Sequence, residues 1–287
     1  MKISIILPAR NEAISLADLL PDLKNSYPDA EIIVVNDASD DGTIEVCKKY
    51  NINTATHMYP KGNGAAVKTG ARIATGEVLV FMDADGQHSP SDVQLLLGEF
   101  EKGFDMVVGS RTFKSHATVY RGIANRFYNW FASWMTGHKI LDLTSGFRIV
   151  NADKFRAYLH LLPNGFSYPT TITMAMFRSG YNIGYVPIQV DQRKGHRKSH
   201  IKPVIDGVRF LLIIFRIGTL YSPLKLFVPI SFLFFINGLG YYIYTYLSYK
   251  RFTNMSMLLF VTSMLIFLIG LISEQLTMML YKDSSKK

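Results

Sequence analysis

Short continuous apolar runs alternate with stretches of helical period over the first two-thirds of the chain. "ISIILP" reads as a strand, "EAISLADLLPDLKNS" as a helix entered through Asn11, and "EIIVVND" as a second strand. "SDDGTIEVCKKY" and "GAAVKTGARIAT" then read as helices. "EVLVFMD" is a strand, "SPSDVQLLLGEFEKG" a helix capped by Ser89 or Ser91, and "DMVVGS" a further strand. Strands alternating with helices predict a mostly parallel α/β sheet covered on both faces. Ligands of such sheets sit outside the carboxyl ends of the strands.

Beyond Arg111 the pattern loosens into an aromatic helix, "YRGIANRFYNWFASWMTG", followed by "DLTSGFRIVNADKF", "GFSYPTTITMAMFRSG" and a last strand in "GYVPIQVDQR". Trp130, Trp134, Met174 and Met176 are expected to be core packing, with a lipid-facing role as the alternative. The pattern changes again near Lys202. There "KPVIDGVRFLLIIFRIGTLYSP" places Asp206, Arg209 and Arg216 on one seam of an otherwise apolar helix, as in a helix lying in a membrane interface. Leu226 to Tyr249 and Phe252 to Ser273 then contain no Asp, Glu, Lys or Arg, and each is long enough to cross a hydrocarbon core of roughly 30 Å. The expected organisation is a domain over 1–200, an interfacial helix over 201–223 and a transmembrane hairpin over 224–287, its spans near 226–249 and 252–273.

Composition sharpens this picture. A mean hydropathy of +0.14 with 48% hydrophobic residues is high for a soluble chain. The net charge of +9 is concentrated in "RKGHRKSHIK", just before the hydrophobic region, which points to lipid headgroups or a lipid phosphate and away from nucleic acid. Lys and Arg flank the hairpin more densely than they occupy its connection, so the positive-inside bias puts both ends, and the first domain, in the cytoplasm. One cysteine, Cys47, excludes an intramolecular disulfide, in keeping with a reducing compartment. "MKISIILPAR" is broken too early by Pro8 and Arg10 to read as a signal peptide. Two spanning helices bury little by themselves, which leaves room for a homo-oligomer of undetermined order.

The unusual polar residues fall at strand ends: Pro8, Arg10 and Glu12 after the first strand, Asp37 after the second, Asp83 and Asp85 after "VLVFM", and Ser110 with Arg111 after "DMVVG". Read as a continuation of the strand, "FMDADG" turns Asp83 and Asp85 to one face, and Gln87 adds an amide oxygen nearby. Hard oxygen donors suit Mg2+ or Mn2+, which take one or two carboxylates and complete their shell with phosphates and water. His88 has no Cys or His neighbour in sequence to make a zinc site. No G-x-x-x-x-G-K-[ST] loop, dinucleotide fingerprint or G-x-S-x-G elbow is present, which leaves a nucleotide diphosphate clamped through the metal as the economical ligand.

"SIILPARNEA", "IIVVNDASDDGT", "GNGAAVKTGARIATGEVLVFMDADGQ", "VVGSR" and "DLTSGFR" together resemble the family 2 glycosyltransferases of GT-A fold. Within that family they are most similar to the dolichol-phosphate mannose synthase and polyprenyl-phosphate glycosyltransferase group. The resemblance implies a Rossmann-like GT-A domain and inverting transfer of a hexose from a nucleotide-diphosphate sugar, UDP-linked ahead of GDP-mannose, to polyprenyl phosphate. It places Pro8, Arg10, Glu12, Asp37 and Lys61 around the nucleoside, and Asp83, Asp85 and Gln87 at the metal. Arg111, Arg121 and Arg148 would hold the acceptor phosphate, and Arg193 and Ser199 belong to a loop closing over the donor.

Three positions depart from the family pattern. Arg10 stands where an aromatic residue is frequent, Asn36 where a first aspartate is common, and His200 where a lysine usually follows the serine, so that His200, Lys198 or Lys202 would take over that charge. A processive polysaccharide synthase shares the fold but carries a Q-x-x-R-W motif, absent here, where Trp130 and Trp134 are the only tryptophans. A non-catalytic nucleotide-sugar-binding subunit is the third reading, disfavoured by the intact set Asp83, Asp85, Arg111 and Arg148.

Overall fold

The protein is described by a computed structural model over residues 1–111, 119–165, 167–189, 215, 218–219 and 221–282; the side chains of 119–125 and 280–282 lie outside that description. The chain divides into two compact units, Met1–Ile201 and Lys202–Lys287.

The first unit is built on a seven-stranded sheet: β1 (Ile3–Ala9), β2 (Glu31–Asn36), β3 (Asn53–Thr56), β4 (Val78–Phe81), β5 (Met106–Arg111), β6 (Arg148–Asn151) and β7 (Ile183–Ile188). Their spatial order is β3-β2-β1-β4-β6-β5-β7. All neighbours are parallel except β6, which runs antiparallel to both β4 and β5. The continuous apolar runs are buried on both faces, as parallel strands require: Ile5, Leu7, Val34, Val80 and Val107 face one layer, where Leu16, Leu20 and Leu23 of α1 (Ala13–Ser26) and Val93 and Leu96 of α4 (Pro90–Phe100) close the core. On the other face lie α3 (Asn63–Ile73), α6 (Ala152–Ala157) and α7 (Tyr168–Arg178); Phe155 of α6 packs against Phe81 of β4, ring centroids 4.6 Å apart and tilted by 37°, and Met174 and Met176 of α7 are core residues as expected.

Several local expectations change. Asn11 does not cap α1; it sits at φ 58° outside the helix, whose N-cap is Glu12 without a side-chain cap bond. Ser89 is the α4 cap, in a reciprocal capping box with Asp92. The short polar β3 "NTAT", which follows α2 (Thr43–Lys49), and the short β6 "RIVN" have too little alternation to be read as strands. On α5 (Val119–Thr136) Trp130 and Trp134 are solvent-facing, at 60% and 43% exposure. They are therefore not core packing: the apolar stripe of this helix is wider than the face it buries.

The second unit is a helical hairpin, α8 (Pro223–Tyr249) and α9 (Asn254–Lys282), with mean hydropathies of 1.7 and 2.5 over their most apolar windows, each long and apolar enough to cross a membrane. The second helix begins two residues later than the apolar run and continues past Ser273. Hydropathy marks the charge at Glu274, whereas the helix carries on through it, and the Glu274 carboxylate accepts the Leu224 N–H at 3.3 Å. The two helices meet along buried small residues at seven-residue spacing: Ser231, Gly238 and Thr245 on α8, and Ser256, Ser263, Gly270 and Thr277 on α9. Such a repeat keeps one seam facing its partner and lets the backbones approach closely. The seam is also stitched by polar groups, with Ser231 Oγ donating to Ser263 O at 2.8 Å and Ser263 Oγ returning a bond to Ser231 O at 2.9 Å. The expected interfacial helix over 201–223 falls almost wholly outside the described residues.

Candidate active site at the sheet rim

Parallel strands β1, β2, β4 and β5 all end on one rim, and the antiparallel β6 begins there. Its first residue, Arg148, lies opposite Phe81 of β4 and Val108 of β5. The turn "DLTSGF" that feeds β6 is therefore inserted between the segments that follow β4 and β5. This single reversal brings the carboxylates of one motif beside the cation of another.

On the β1–β2 side, two loops are sewn together. Asn11 N–H donates to Ser39 Oγ at 2.9 Å, Asp40 N–H to Asn11 Oδ1 at 2.9 Å, Glu12 N–H to Thr43 Oγ1 at 3.1 Å and Ala13 N–H to Asp41 Oδ2 at 3.1 Å. Asn11 and Ala38 hold left-handed backbone, φ 58° and 55°, which for non-glycine residues costs on the order of 1–3 kcal/mol and persists where surroundings impose it. Asn36 is wholly buried and accepts the Ser39 N–H through Oδ1 at 3.0 Å. Pro8 and Glu12 are half-buried and Arg10 is exposed at the rim.

Asp37 is buried and accepts three bonds: from Lys61 N–H and Gly62 N–H, both at 2.8 Å, and from His57 Nδ1 at 2.7 Å. His57 Nε2 reaches Thr69 Oγ1 at 2.9 Å, so the imidazole links β3 to α3. Burial opposes the Asp37 charge, but the His57 contact and the two backbone donors outweigh it and hold its pKa below the ordinary carboxylate value. Asp37 thus anchors the loop that opens α3, placing Lys61 as the exposed residue beside it with its Nζ 5.3 Å from the Tyr59 ring. At Gly62, φ is +100° and a Cβ would lie 2.6 Å from Asn164 O, so the loop admits only glycine there.

The carboxylate pair is not on a strand. β4 ends at Phe81, and Asp83 to Gly86 form a turn, so the same-face geometry of a strand does not apply. What brings the residues together is the turn itself. Asp85 is buried and its Oδ1 accepts Gln87 N–H at 3.2 Å, while Asp83 lies against the "TSGF" backbone, its Oδ2 3.2 Å from where a Cβ on Gly146 would stand. His88 is buried and stacked on Phe147 at 4.6 Å; burial is the dominant influence on it and favours the neutral imidazole, against the charges of Asp83, Asp85 and Asp92. Two carboxylates and an amide fit Mg2+ or Mn2+ shared with a diphosphate. Among the described residues no group of three or more His, Cys, Asp and Glu could cage a metal without such a ligand.

Arg111 is the cation at the end of β5. Its Nε donates to Asp142 Oδ2 at 2.8 Å, and its Nη2 to Asp142 Oδ1 at 3.0 Å and Thr144 Oγ1 at 2.6 Å. Asp142 in turn accepts Thr144 N–H at 3.1 Å. Burial would raise the Asp142 pKa, but the bonds and charge of Arg111 prevail and hold it below the ordinary value. The partner of Arg111 was present in the quoted "DLTSGFR", yet an aspartate in a turn carries no sequence mark of pairing with a strand end. His57, in a polar stretch, has no such mark at all.

Arg148, which the resemblance assigns to the acceptor phosphate, is fully buried: its guanidinium donates to Pro169 O at 3.2 Å, Thr173 Oγ1 at 3.1 Å and Ser145 O, and lies 5.9 Å from the Tyr168 ring centroid. Being the first residue of an antiparallel strand turns its side chain into the layer beneath α7, where it fixes the "TSGF" turn from below. The side chain of Arg121, and all of Arg193, Ser199 and His200, lie outside the described residues.

Residues 4–160 match Glycosyl transferase family 2, and residues 222–279 match the GtrB C-terminal hairpin. The chain is 31% identical over 208 residues to an undecaprenyl-phosphate mannosyltransferase of Micrococcus luteus, covering 68% of this chain and 85% of the relative. It is 37% identical over 120 residues to a dolichol-phosphate mannosyltransferase of Pyrococcus furiosus, covering 40% of this chain and 34% of that one. Among solved structures, glucosyl-3-phosphoglycerate synthase of Mycobacterium tuberculosis, in complex with Mn2+, uridine diphosphate and glucosyl-3-phosphoglycerate, superposes with a TM-score of 0.59 at 17% identity over 75% of this chain and 78% of that one, a likeness of fold. With its rim of loop, carboxylate turn and paired arginine on a GT-A sheet, and with more than half its length matched, the chain belongs to glycosyl transferase family 2.

Proposed function

We propose that this chain transfers a hexose from a nucleotide-diphosphate sugar to a polyprenyl phosphate at a membrane surface, inverting the anomeric centre. The observation that carries the reading is the junction at β6, which sets the Asp83–Asp85 turn and the Arg111–Asp142 pair side by side on one rim. Support comes from the relatives named as mannosyltransferases acting on undecaprenyl and dolichol phosphates, and from the hairpin match. Pro8, Arg10, Glu12, Asp37 and Lys61 are assigned to the nucleoside side, and Arg111 with Arg121 to the acceptor phosphate. Arg193 and Ser199 are assigned to closure over the donor, and Arg148 becomes a positioning residue behind the "TSGF" turn.

Asp83, Asp85 and Gln87 would hold Mg2+ or Mn2+, which when bound neutralises charge on the departing diphosphate. The acceptor needs no dedicated base, because a phosphate monoester with a second pKa of about 6 is largely dianionic at neutral pH. One of its oxygens forms a bond to the anomeric carbon as the bond from that carbon to the nucleotide diphosphate breaks, and the electron pair leaves with the diphosphate. Arg111, oriented by Asp142, offers its remaining guanidinium edge to the incoming phosphate. A UDP-hexose is the donor favoured by the sequence; GDP-mannose is the second reading, favoured by the names of the two relatives. The positive-inside distribution of Lys and Arg supports a catalytic domain on the cytoplasmic side.

The test is transfer of label from UDP-glucose, UDP-N-acetylglucosamine and GDP-mannose to polyprenyl phosphate in detergent, with Mg2+ or Mn2+, beside Asp85→Ala. A lipid-extractable product from one donor, lost on chelation and in the variant, is expected. Metal-dependent nucleotide binding with no lipid product from any donor would refute the acceptor assignment.

A further inference from the structure

α8 uses one face for α9, the seam through Ser231, Gly238 and Thr245. Asn237 is not on it. At about 100° per residue it is turned away from Gly238, and it is exposed. It stands one residue past the middle of the 27 residues of α8, within about 2 Å of the centre of the span. Its Nδ2 donates to Leu233 O at 2.7 Å, a carbonyl of its own helix, and among the described residues Oδ1 accepts no bond. Water would satisfy that oxygen on a soluble protein; hydrocarbon does not, and burying an unpaired amide there costs free energy.

A second feature shares the face. Gly240, one turn on, is exposed, and a Cβ built there would meet nothing within 4 Å. Unlike Gly238, whose Cβ would lie 3.1 Å from Leu259, Gly240 is not required by the hairpin. It leaves a notch flanked by the exposed side chains of Leu233, Tyr241 and Tyr244. Small residues beside a polar one are how helices approach each other in lipid.

We propose that Asn237 and Gly240 mark a second packing face of α8, through which two copies of this chain pair inside the bilayer with their Asn237 amides hydrogen-bonded to each other. A second copy is the occupant the chemistry selects. Copies inserted with the same topology run parallel, so each residue meets its counterpart at the same depth. An amide carries both a donor and an acceptor and is therefore complementary to itself across a two-fold axis. The bond lies at mid-span, where no water competes.

The experiment uses the full chain in liposomes. Tyr244→Cys lies on the proposed face and retains Asn237; Tyr246→Cys, likewise exposed, is within about 3 Å of the same depth on the opposite side of the helix. Cys47, the only native cysteine, is fully buried, and its contribution is read from the unsubstituted chain. Oxidation is expected to give a disulfide-linked dimer from Tyr244→Cys and not from Tyr246→Cys. Adding Asn237→Leu to Tyr244→Cys should raise the protein density for half-maximal cross-linking about 3- to 20-fold, the range of interhelical hydrogen bonds in lipid. Equal cross-linking at both positions, none at Tyr244→Cys, or indifference to Asn237→Leu would each overturn the proposal.

Discussion

Replacing Asp142 with asparagine keeps the shape of the side chain and removes the charge that Arg111 faces. In the folded protein the Arg111 side chain is 29% exposed and that of Asp142 7%, so the pair is largely, though not wholly, withdrawn from water. Breaking a fully buried pair by removing one partner costs about 3–5 kcal/mol, and each charge-assisted hydrogen bond contributes about 1.5–3 kcal/mol. With Arg111 partly hydrated and its bond to Thr144 retained, the expected loss is about 2–3 kcal/mol, or roughly 4–12 °C in the unfolding midpoint of a domain of this size. Cys47 supplies an assay confined to this domain: it is the sole cysteine and fully buried, so a thiol-reactive dye reports when the sheet opens and is blind to the hairpin. The sign with pH follows from the depressed Asp142 pKa. Its stabilisation is complete above the ordinary carboxylate pKa and disappears as pH falls through the lower folded value. The gap between wild type and Asp142→Asn should therefore be constant from neutral pH to about pH 5 and close only in stronger acid. A shift under about 1 °C at pH 7, or Arg111→Met and Asp142→Asn effects that simply add in the double variant, would show that the pair is not coupled as its geometry requires.

Three further outcomes follow from the packing. Asp37→Asn should weaken the anchor of the 57–62 loop, lowering the midpoint by several degrees at neutral pH and by little in strong acid, and should weaken nucleotide binding measured by equilibrium dialysis. Gly64→Ala would set a Cβ 2.2 Å from Pro163 O, a backbone atom that cannot swing aside; a loss of about 1–3 kcal/mol in the same dye assay is expected, and none would mean that α3 does not rest on the 163–165 turn. Trp130→Gln should change the midpoint by no more than about 0.5 kcal/mol equivalent, since the ring is mostly exposed; a loss typical of a core tryptophan would restore the packing role first expected for it.

The buried strands β1, β2, β4 and β5 were legible because an unbroken apolar run bounded by polar residues has few other uses in an alternating chain. Their ends mark Asp37, Asp83, Asp85 and Arg111 in the sequence itself. β3 and β6 were not legible: four residues each, with asparagine, threonine or arginine among them, they are strands because neighbours offer hydrogen bonds, a tertiary cause without local pattern. The same non-local cause hid Arg148, whose charge marks it for water or a ligand until β6 turns it inward. Trp130 and Trp134 erred in the opposite direction, because hydrophobicity ranks them as interior while their helix offers more apolar surface than its partners cover.

The reversed strand β6 also makes the polypeptide between Arg111 and Arg148 a self-closing insert. The chain leaves the sheet at the end of β5 and re-enters beside it, with Val108 opposite Arg148, so its exit and return points are neighbours in one ladder. Exchange of that segment, cut at Val108 and Arg148, is then a graft whose ends already meet. The loops that follow β1 and β2 would keep their native chain, so that one side of the rim could be exchanged between relatives while the other stays as it is.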